Sequence, residues 1–279
     1  MRHPPAWLEQ GFGARLFKRT TRGVELTIDG QAFLPHARGL LQAAERATDS
    51  VRPDRRALRV DVINPRIAGS HILREFHLAN PGIELDVVTR FVDAGSAIAA
   101  VRTGAIDTTF RALTDPSEQL QDDLEAIRVL NEPLQILIGP AHPLADRGAT
   151  TPAELVANKI WMPNMAEGTE WSAFYSELAA TFRLTIDTIG PNFGTDAILE
   201  VVAGSSTLAT FMAEEIRLVW PAGYDLRRIP IRDPTPLYPH SLIWRSDNPH
   251  PALTALRHFV GARKHKQANG EVWMPRWAR

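Results

Sequence analysis

The chain has 279 residues, 44% of them hydrophobic and 23% charged, and no cysteine. At roughly 150 residues per domain this length implies about two domains of ordinary globular composition; it excludes global disorder and collagen-like repeats, and the missing thiols exclude disulfide scaffolds, thiolate zinc sites and cysteine nucleophiles. The net charge of -1 is uneven: residues 1–56 carry 10 Lys/Arg against 6 Asp/Glu, residues 57–262 carry 16 against 25, and residues 263–279 carry 5 against 1, so a basic segment suited to a polyanion precedes an acidic body.

No apolar run approaches the ~20 residues that a bilayer requires, and residues 1–10 lack the apolar stretch of a secretory signal, so no membrane role and a cytoplasmic location are expected. Pro4-Pro5 breaks helices and leaves residues 7–10 as at most a helical stub. Leu16-Phe17 and Val24-Glu-Leu26 flank a polar stretch closed by Gly23, which predicts a β-hairpin with Lys18, Arg19 and Arg22 at its tip. An ordinary solvated hairpin has the same pattern.

Thr27 then reads as the N-cap of a helix with Asp29 in its first turn. Leu34, Ala37, Leu41, Ala44, Thr48 and Val51 are spaced 3, 4, 3, 4, 3, widened by Phe33, Leu40 and Ala47. This stripe serves either a pairing helix or a core. Pro35 is expected to kink the helix or set its effective start. Pro53-Asp-Arg-Arg56 reads as a linker.

From Leu58 strands and helices alternate. Strands are predicted at 58–63, 83–90 and 106–110, and helices at 67–78 and 97–102. The rhythm restarts with strands at 160–162, 186–189 and 207–211 and helices at 170–182 and 196–203. It implies parallel sheets with right-handed crossovers. Ala97, Ile98, Val101 and Gly104 recur as Ala197, Ile198, Val201 and Gly204, 100 positions on. We therefore expect two similar α/β lobes, one about 58–140 plus 235–262 and the other about 155–235, with strands at 226–231 and 241–244 and a helix at 251–260. Two crossings between the lobes imply a cleft at the carboxyl ends of the strands. The basic segment 263–279 is expected to fray.

Local catalytic signatures are missing: there is no G-x-S-x-G, no G-x-x-x-x-G-K-[ST] and no H-E-x-x-H, and Gly11-x-Gly13 lacks the strand and third Gly of a dinucleotide fingerprint. His71 and His77, six apart, face different sides of a helix. No catalytic residue, metal or cofactor is expected.

Leu8-Glu9, Ala14-Arg-Leu-Phe-Lys-Arg19, Thr21-Arg-Gly-Val-Glu-Leu-Thr27 and Leu34-Pro-His-Ala-Arg38 together resemble the LysR-type transcriptional regulators. So do Gly104-x-Ile106-Asp107, Gly139-Pro-Ala-His-Pro-Leu-Ala145 and Val202-Ala-Gly204 in the body. The resemblance implies two Rossmann-like lobes forming a periplasmic-binding-protein-like effector domain over 57–262. Ahead of it come a partial winged helix-turn-helix (1–27: the wing and the end of the recognition helix) and a linker or dimerisation helix with its hinge (28–56). It implies a homodimer or tetramer paired through Leu34, Ala37, Leu41, Ala44 and Val51, and a small organic effector.

Members of the family normally carry further helices ahead of the equivalent of Leu8-Glu9, where this chain has Met1-Arg-His-Pro-Pro-Ala-Trp7. Without most of a recognition helix, Arg15, Lys18, Arg19, Thr20, Thr21 and Arg22 are expected to contact DNA backbone or minor groove weakly and with steep salt dependence. A misplaced start codon and a degenerate regulator both account for this. The effector site is expected from Asn64, Pro65, Arg66, Asp93, Arg111, Asn164, Thr195, Asp196 and Phe211. Pro65 and Ala94 stand where the family often places Ser or Thr, Arg66 and Arg111 serve as an anion anchor or as rim charges, and Asp93 and Asp196 line the pocket or only cap helices. A solute-binding module without DNA, and an α/β enzyme, are the alternative readings.

Overall fold

A computed structural model describes residues 6–20, 23–50, 56–121, 123–163, 165–190, 194–263 and 270–279. The chain divides into two units, Met1–Arg56 and Ala57–Arg279.

In the first unit, helix α1 (Ala6–Phe12) leads into strands β1 (Phe17–Thr20) and β2 (Gly23–Leu26) and helix α2 (Ile28–Ser50). The strands form the expected antiparallel hairpin, with Phe17 opposite Leu26 and Lys18 opposite Glu25. Helix α1, at seven residues, exceeds the expected stub, since Ala6–Phe12 contains no proline to interrupt it. Glu9 ties the turn to this helix: one carboxylate oxygen accepts the amides of Leu16 (2.7 Å) and Phe17 (2.9 Å). Thr27 caps α2, its hydroxyl oxygen accepting the Gly30 amide at 3.0 Å. Gly30 is required sterically: a Cβ there would sit 2.1 Å from the Leu16 carbonyl oxygen. Pro35 lies inside α2 and does not set its start, since the helix already begins at Ile28 behind the Thr27 cap. Leu34 and Ala37 are half-buried, whereas Leu40 and Leu41 stand 68% and 66% exposed. Thr21, Arg22 and Val51, and the side chains of Arg19 and Ala44, lie outside the described residues.

The second unit opens with β3 (Leu58–Asp61), α3 (Ala68–Ala79), β4 (Leu85–Val88), α4 (Ala94–Arg102) and β5 (Thr108–Arg111). After a short helix α5 (Pro116–Leu120), the long strand β6 (Leu124–Ile138) leads to α6 (Pro152–Leu155). The rhythm then repeats as β7 (Lys159–Trp161), α7 (Glu170–Phe182), β8 (Ile186–Asp187), α8 (Thr195–Ala203) and β9 (Leu208–Ala213). Strands β10 (Arg227–Pro230) and β11 (Thr235–Arg245), helix α9 (Pro251–Ala262) and strand β12 (Val272–Trp273) complete it.

The strand order is β4-β3-β5-β11-β6-β9-β7-β8, with β10 on β6 and β12 on β11. Two parallel triplets, β4-β3-β5 and β9-β7-β8, flank the antiparallel pair β11/β6. Each triplet has the order second-first-third, the repeat that the 100-residue echo anticipates. Strand β6 pairs with β11 along residues 124–133, then with β9 and β10 along 134–138, and so belongs to both halves. Gly139, at its end, lies so close to the last turn of α8 that a Cβ would come within 2.6 Å of the Val202 and Ala203 carbonyls; the motifs at 139–145 and 202–204 meet there.

Two expectations are corrected. The strand expected at 241–244 runs over Thr235–Arg245 and has a long partner, β6, that was not foreseen. The end of the basic tail does not fray: β12 adds to β11 in parallel, and Trp273 is buried against Phe174 and Phe182. Burial of a tryptophan outweighs the polarity of its neighbours.

Candidate functional site

Strands β3, β7 and β9 end on one side of the second unit, where a cavity of about 470 Å³ opens. The first half supplies Ile63, Asn64, Arg66, Ile67 and Val92; the second supplies Met162, Met165, Trp171, Tyr175, Thr195, Leu199, Phe211 and Met212, among others. This is the position that an open α/β sheet gives a ligand, beyond the carboxyl ends of parallel strands. The loop after β3 is fixed by Asn64, whose side-chain oxygen accepts the Arg66 amide at 2.8 Å and whose carbonyl accepts the Ser70 hydroxyl at 3.0 Å. Across the cavity, Tyr175 and Phe211 stack with centroids 5.4 Å apart and planes at 13°.

Asn64, Arg66, Thr195 and Phe211, of the residues expected from sequence, line this cavity. Pro65 is exposed in the turn and does not. Asp93 is absent from the lining because its carboxylate turns back to cap α4, accepting the Ser96 amide at 2.7 Å, a bond that holds its pKa below the usual value. Asp196 is exposed in the first turn of α8; Gly194, not Asp196, is the N-cap. Asn164 lies outside the described residues.

Arg111 is neither a rim charge nor a free anion anchor. It is 1% exposed and absent from the lining. One terminal nitrogen donates to Asp61 (2.7 Å) and to the Phe91 carbonyl (2.9 Å), and the other approaches Glu170 at 3.5 Å. Thr109 also donates to the Asp61 carboxylate, at 2.7 Å. A buried guanidinium persists only with such partners, and here they use its donor capacity within the protein. Glu170, the first residue of α7, also accepts the Ala94 amide, the first of α4, at 2.8 Å. The cluster therefore joins the two halves beneath the cleft. Burial pushes the Glu170 carboxyl above the usual range, against the pull of Arg111.

A second buried polar pair, Glu132 on β6 and His240 on β11, meets at 2.8 Å, and Glu132 also accepts the Glu215 amide at 2.8 Å. Tyr238 packs between these clusters, beside Trp171 (5.8 Å) and Phe174 (4.9 Å). Sequence reasoning favoured polar residues and missed most of the wall, which is apolar. A hydrophobic residue just past a parallel strand was the available signal, but the core carries the same signal.

Among the described residues no group of three or more His, Cys, Asp or Glu is placed to hold a metal, and no helix is long and apolar enough to cross a membrane.

Residues 54–264 match the family model described as LysR substrate binding domain. The HTH-type transcriptional regulator ShiR of Corynebacterium glutamicum is 35% identical over 126 residues, 42% of this chain and 41% of its own length. A probable hydrogen peroxide-inducible genes activator of Mycobacterium xenopi is 32% identical over 149 residues, 51% of this chain and 75% of its own. The alignment to ShiR thus spans less than half of that relative. A Corynebacterium glutamicum OxyR mutant shares the fold with a TM-score of 0.63 at 20% identity, over 92% of this chain and 78% of that one. The two-lobed α/β body expected from the internal echo is thus a known architecture, and the curated relatives carry the names of regulators, not of enzymes. Matched over 54–264 by that model, the chain belongs to the LysR family of transcriptional regulators.

Proposed function

We propose that the second unit senses a small organic effector in the cavity at the strand ends, and that the protein regulates transcription in the cytoplasm as a homodimer or tetramer. The observation that carries this reading is a cavity whose walls come from both halves of one sheet. A ligand touching both halves has different affinities for different arrangements of them, and that difference is what shifts a two-state equilibrium. A thermal-shift screen of small organic compounds tests it: a specific ligand at a hundredfold excess over its Kd stabilises by about 2.7 kcal/mol. If nothing shifts the transition, the sensing reading fails; turnover of a compound favours an enzyme.

DNA contact is assigned to Arg15, Lys18, Arg19, Thr20, Thr21 and Arg22, and we propose that it is weak. Lys18 is paired with Glu25 at 3.1 Å, and the Thr20 hydroxyl is directed to the Gly23 carbonyl. Helix α1 carries no Lys or Arg, and its Glu9 is engaged by the turn. Phosphate contacts from a hairpin position a protein without reading bases. Gel shifts across a salt series test this; a tight, sequence-selective complex refutes it. Pairing is assigned to the Leu34, Ala37, Leu41, Ala44 and Val51 stripe, supported by the exposed Leu41 and its neighbour Leu40. Sedimentation of Leu41→Lys against the parent chain tests it.

A further inference from the structure

We propose that the C-terminal segment 270–279 is a strap: it ties the two halves of the second unit together and limits how far the cleft between them opens. This does not depend on what occupies the cavity, so its failure leaves the effector reading standing.

The segment lies beyond residues 54–264, the stretch that the family model matches. It follows α9, which packs in the core of the first half with Phe76 of α3, and Arg263, just after α9, pairs with Glu75 of α3. From Glu271 on, the segment is seated on the second half. The Glu271 carbonyl accepts the Thr235 amide at 2.8 Å, and β12 pairs with the start of β11. Trp273 packs on Phe174 (5.6 Å) and Phe182 (5.7 Å) of α7, and Trp277 packs against the same core. The Arg276 amide donates to Glu177 of α7 at 2.6 Å. The end then meets the first half again: Arg128 of β6 donates to the Ala278 carbonyl at 3.2 Å. Arg128 stands between Ile127 and Val129, which pack with the first half's core.

The two attachments differ in strength. Tryptophan burial holds the segment to the second half, whereas one hydrogen bond holds the Ala278 end to the first. Moving the halves apart must break one of them, and the hydrogen-bonded end gives way first.

Helix α7 is also the helix that reaches across the cleft. Its Glu170 accepts the Ala94 amide of α4 at 2.8 Å, and its Trp171 and Tyr175 line the cavity. The strap lies on Phe174, Glu177 and Phe182 of that same helix, so it steadies the element on which the contact between the halves depends.

Hydrogen exchange on the full chain tests this, against a chain ending at residue 269 and against Arg128→Met, which keeps the volume of the stem and the Trp273 anchor. Three amides report local opening. That of Ala94 bonds across the halves, that of Val62 bonds to the Val88 carbonyl within the first half, and that of Met162 bonds to the Asp187 carbonyl within the second. Shortening is expected to speed exchange at Ala94 at least about tenfold, and Arg128→Met about threefold, with Val62 and Met162 changed less than about twofold. Ala94 exchanging at the parental rate in either variant overturns the strap and reduces the segment to local packing on α7. If shortening speeds all three amides together, the whole unit is destabilised and Arg128→Met decides. Acceleration confined to Ala94 there supports the strap; the parental rate, or uniform acceleration there too, overturns it.

Discussion

Arg111→Met removes the cation from a cluster in which Arg111, Asp61 and Glu170 all have side chains 0% exposed. Methionine keeps much of the volume of the stem, so the change is mainly electrostatic. Breaking a buried ion pair by removing one partner costs about 3–5 kcal/mol, because the remaining charge is left uncompensated. Here two carboxylates lose their partner, which puts the expected cost in the upper part of that range. For a unit of this size each kcal/mol lowers Tm by about 2–4 °C, so a fall of roughly 8–20 °C is expected. Without the guanidinium, which pulls the buried Glu170 carboxyl down, the Glu170 pKa rises further above its unfolded value. Groups raised in this way contribute stability that is full below the unfolded pKa and is lost as pH rises through the folded pKa. The deficit of the variant should therefore be largest at neutral pH and shrink as pH falls toward the ordinary carboxyl range. Calorimetry and urea unfolding at neutral and mildly acidic pH measure both quantities. A deficit below about 1 kcal/mol, or one that does not change with pH, would refute the assignment of Arg111 as the charge that holds the two halves together.

Glu170→Gln leaves Arg111 paired one-to-one with Asp61, and the amide oxygen can still accept the Ala94 amide, so a loss of only about 1 kcal/mol is expected. Because the Glu170 pKa is raised, its contribution is full below the ordinary glutamate value and disappears as pH rises through the folded one; the variant should lose this slope, and an unchanged profile of stability against pH counts against it. Gly30→Ala forces a methyl group against the Leu16 carbonyl and should destabilise the first unit by about 1–3 kcal/mol. Faster hydrogen exchange at the Thr27 amide, which donates to that carbonyl at 3.0 Å, is the readout, and unaltered exchange speaks against the contact. Trp273→Ala removes a ring packed on Phe174 and Phe182 and should cost about 3–5 kcal/mol by urea unfolding; a loss comparable to a surface substitution would return the tail to its frayed description.

The parallel triplets were legible because strands and helices alternate in them, and two of the helices, α4 and α7, carry side-chain caps at their starts. Helix α7 begins behind Thr169, whose hydroxyl accepts the Ser172 amide, and its limits match the expected 170–182. Strands β6 and β11 were harder, since Pro133, Pro236 and Pro239 and the buried Glu132 and His240 interrupt the apolar pattern that marks a strand. The polar part of the cleft was half legible: Asn64 and Thr195 sit where strand and helix ends predict. Arg111 was not, because a lone arginine at the end of a strand looks the same whether solvated or buried. Its partners lie 50 and 59 positions away, a separation that only the fold closes.

Strand β11 lies between β5 and β6 in the sheet, yet β6 ends at Ile138 and β11 starts at Thr235. During synthesis, β5 and β6 therefore leave the ribosome with a gap between them that only a much later segment can fill. Meanwhile each presents a row of unsatisfied backbone groups, the kind of edge that recruits other chains. Maturation of the first half then waits on translation of most of the second, which makes a nascent chain stalled between residues 140 and 234 the species most prone to aggregate.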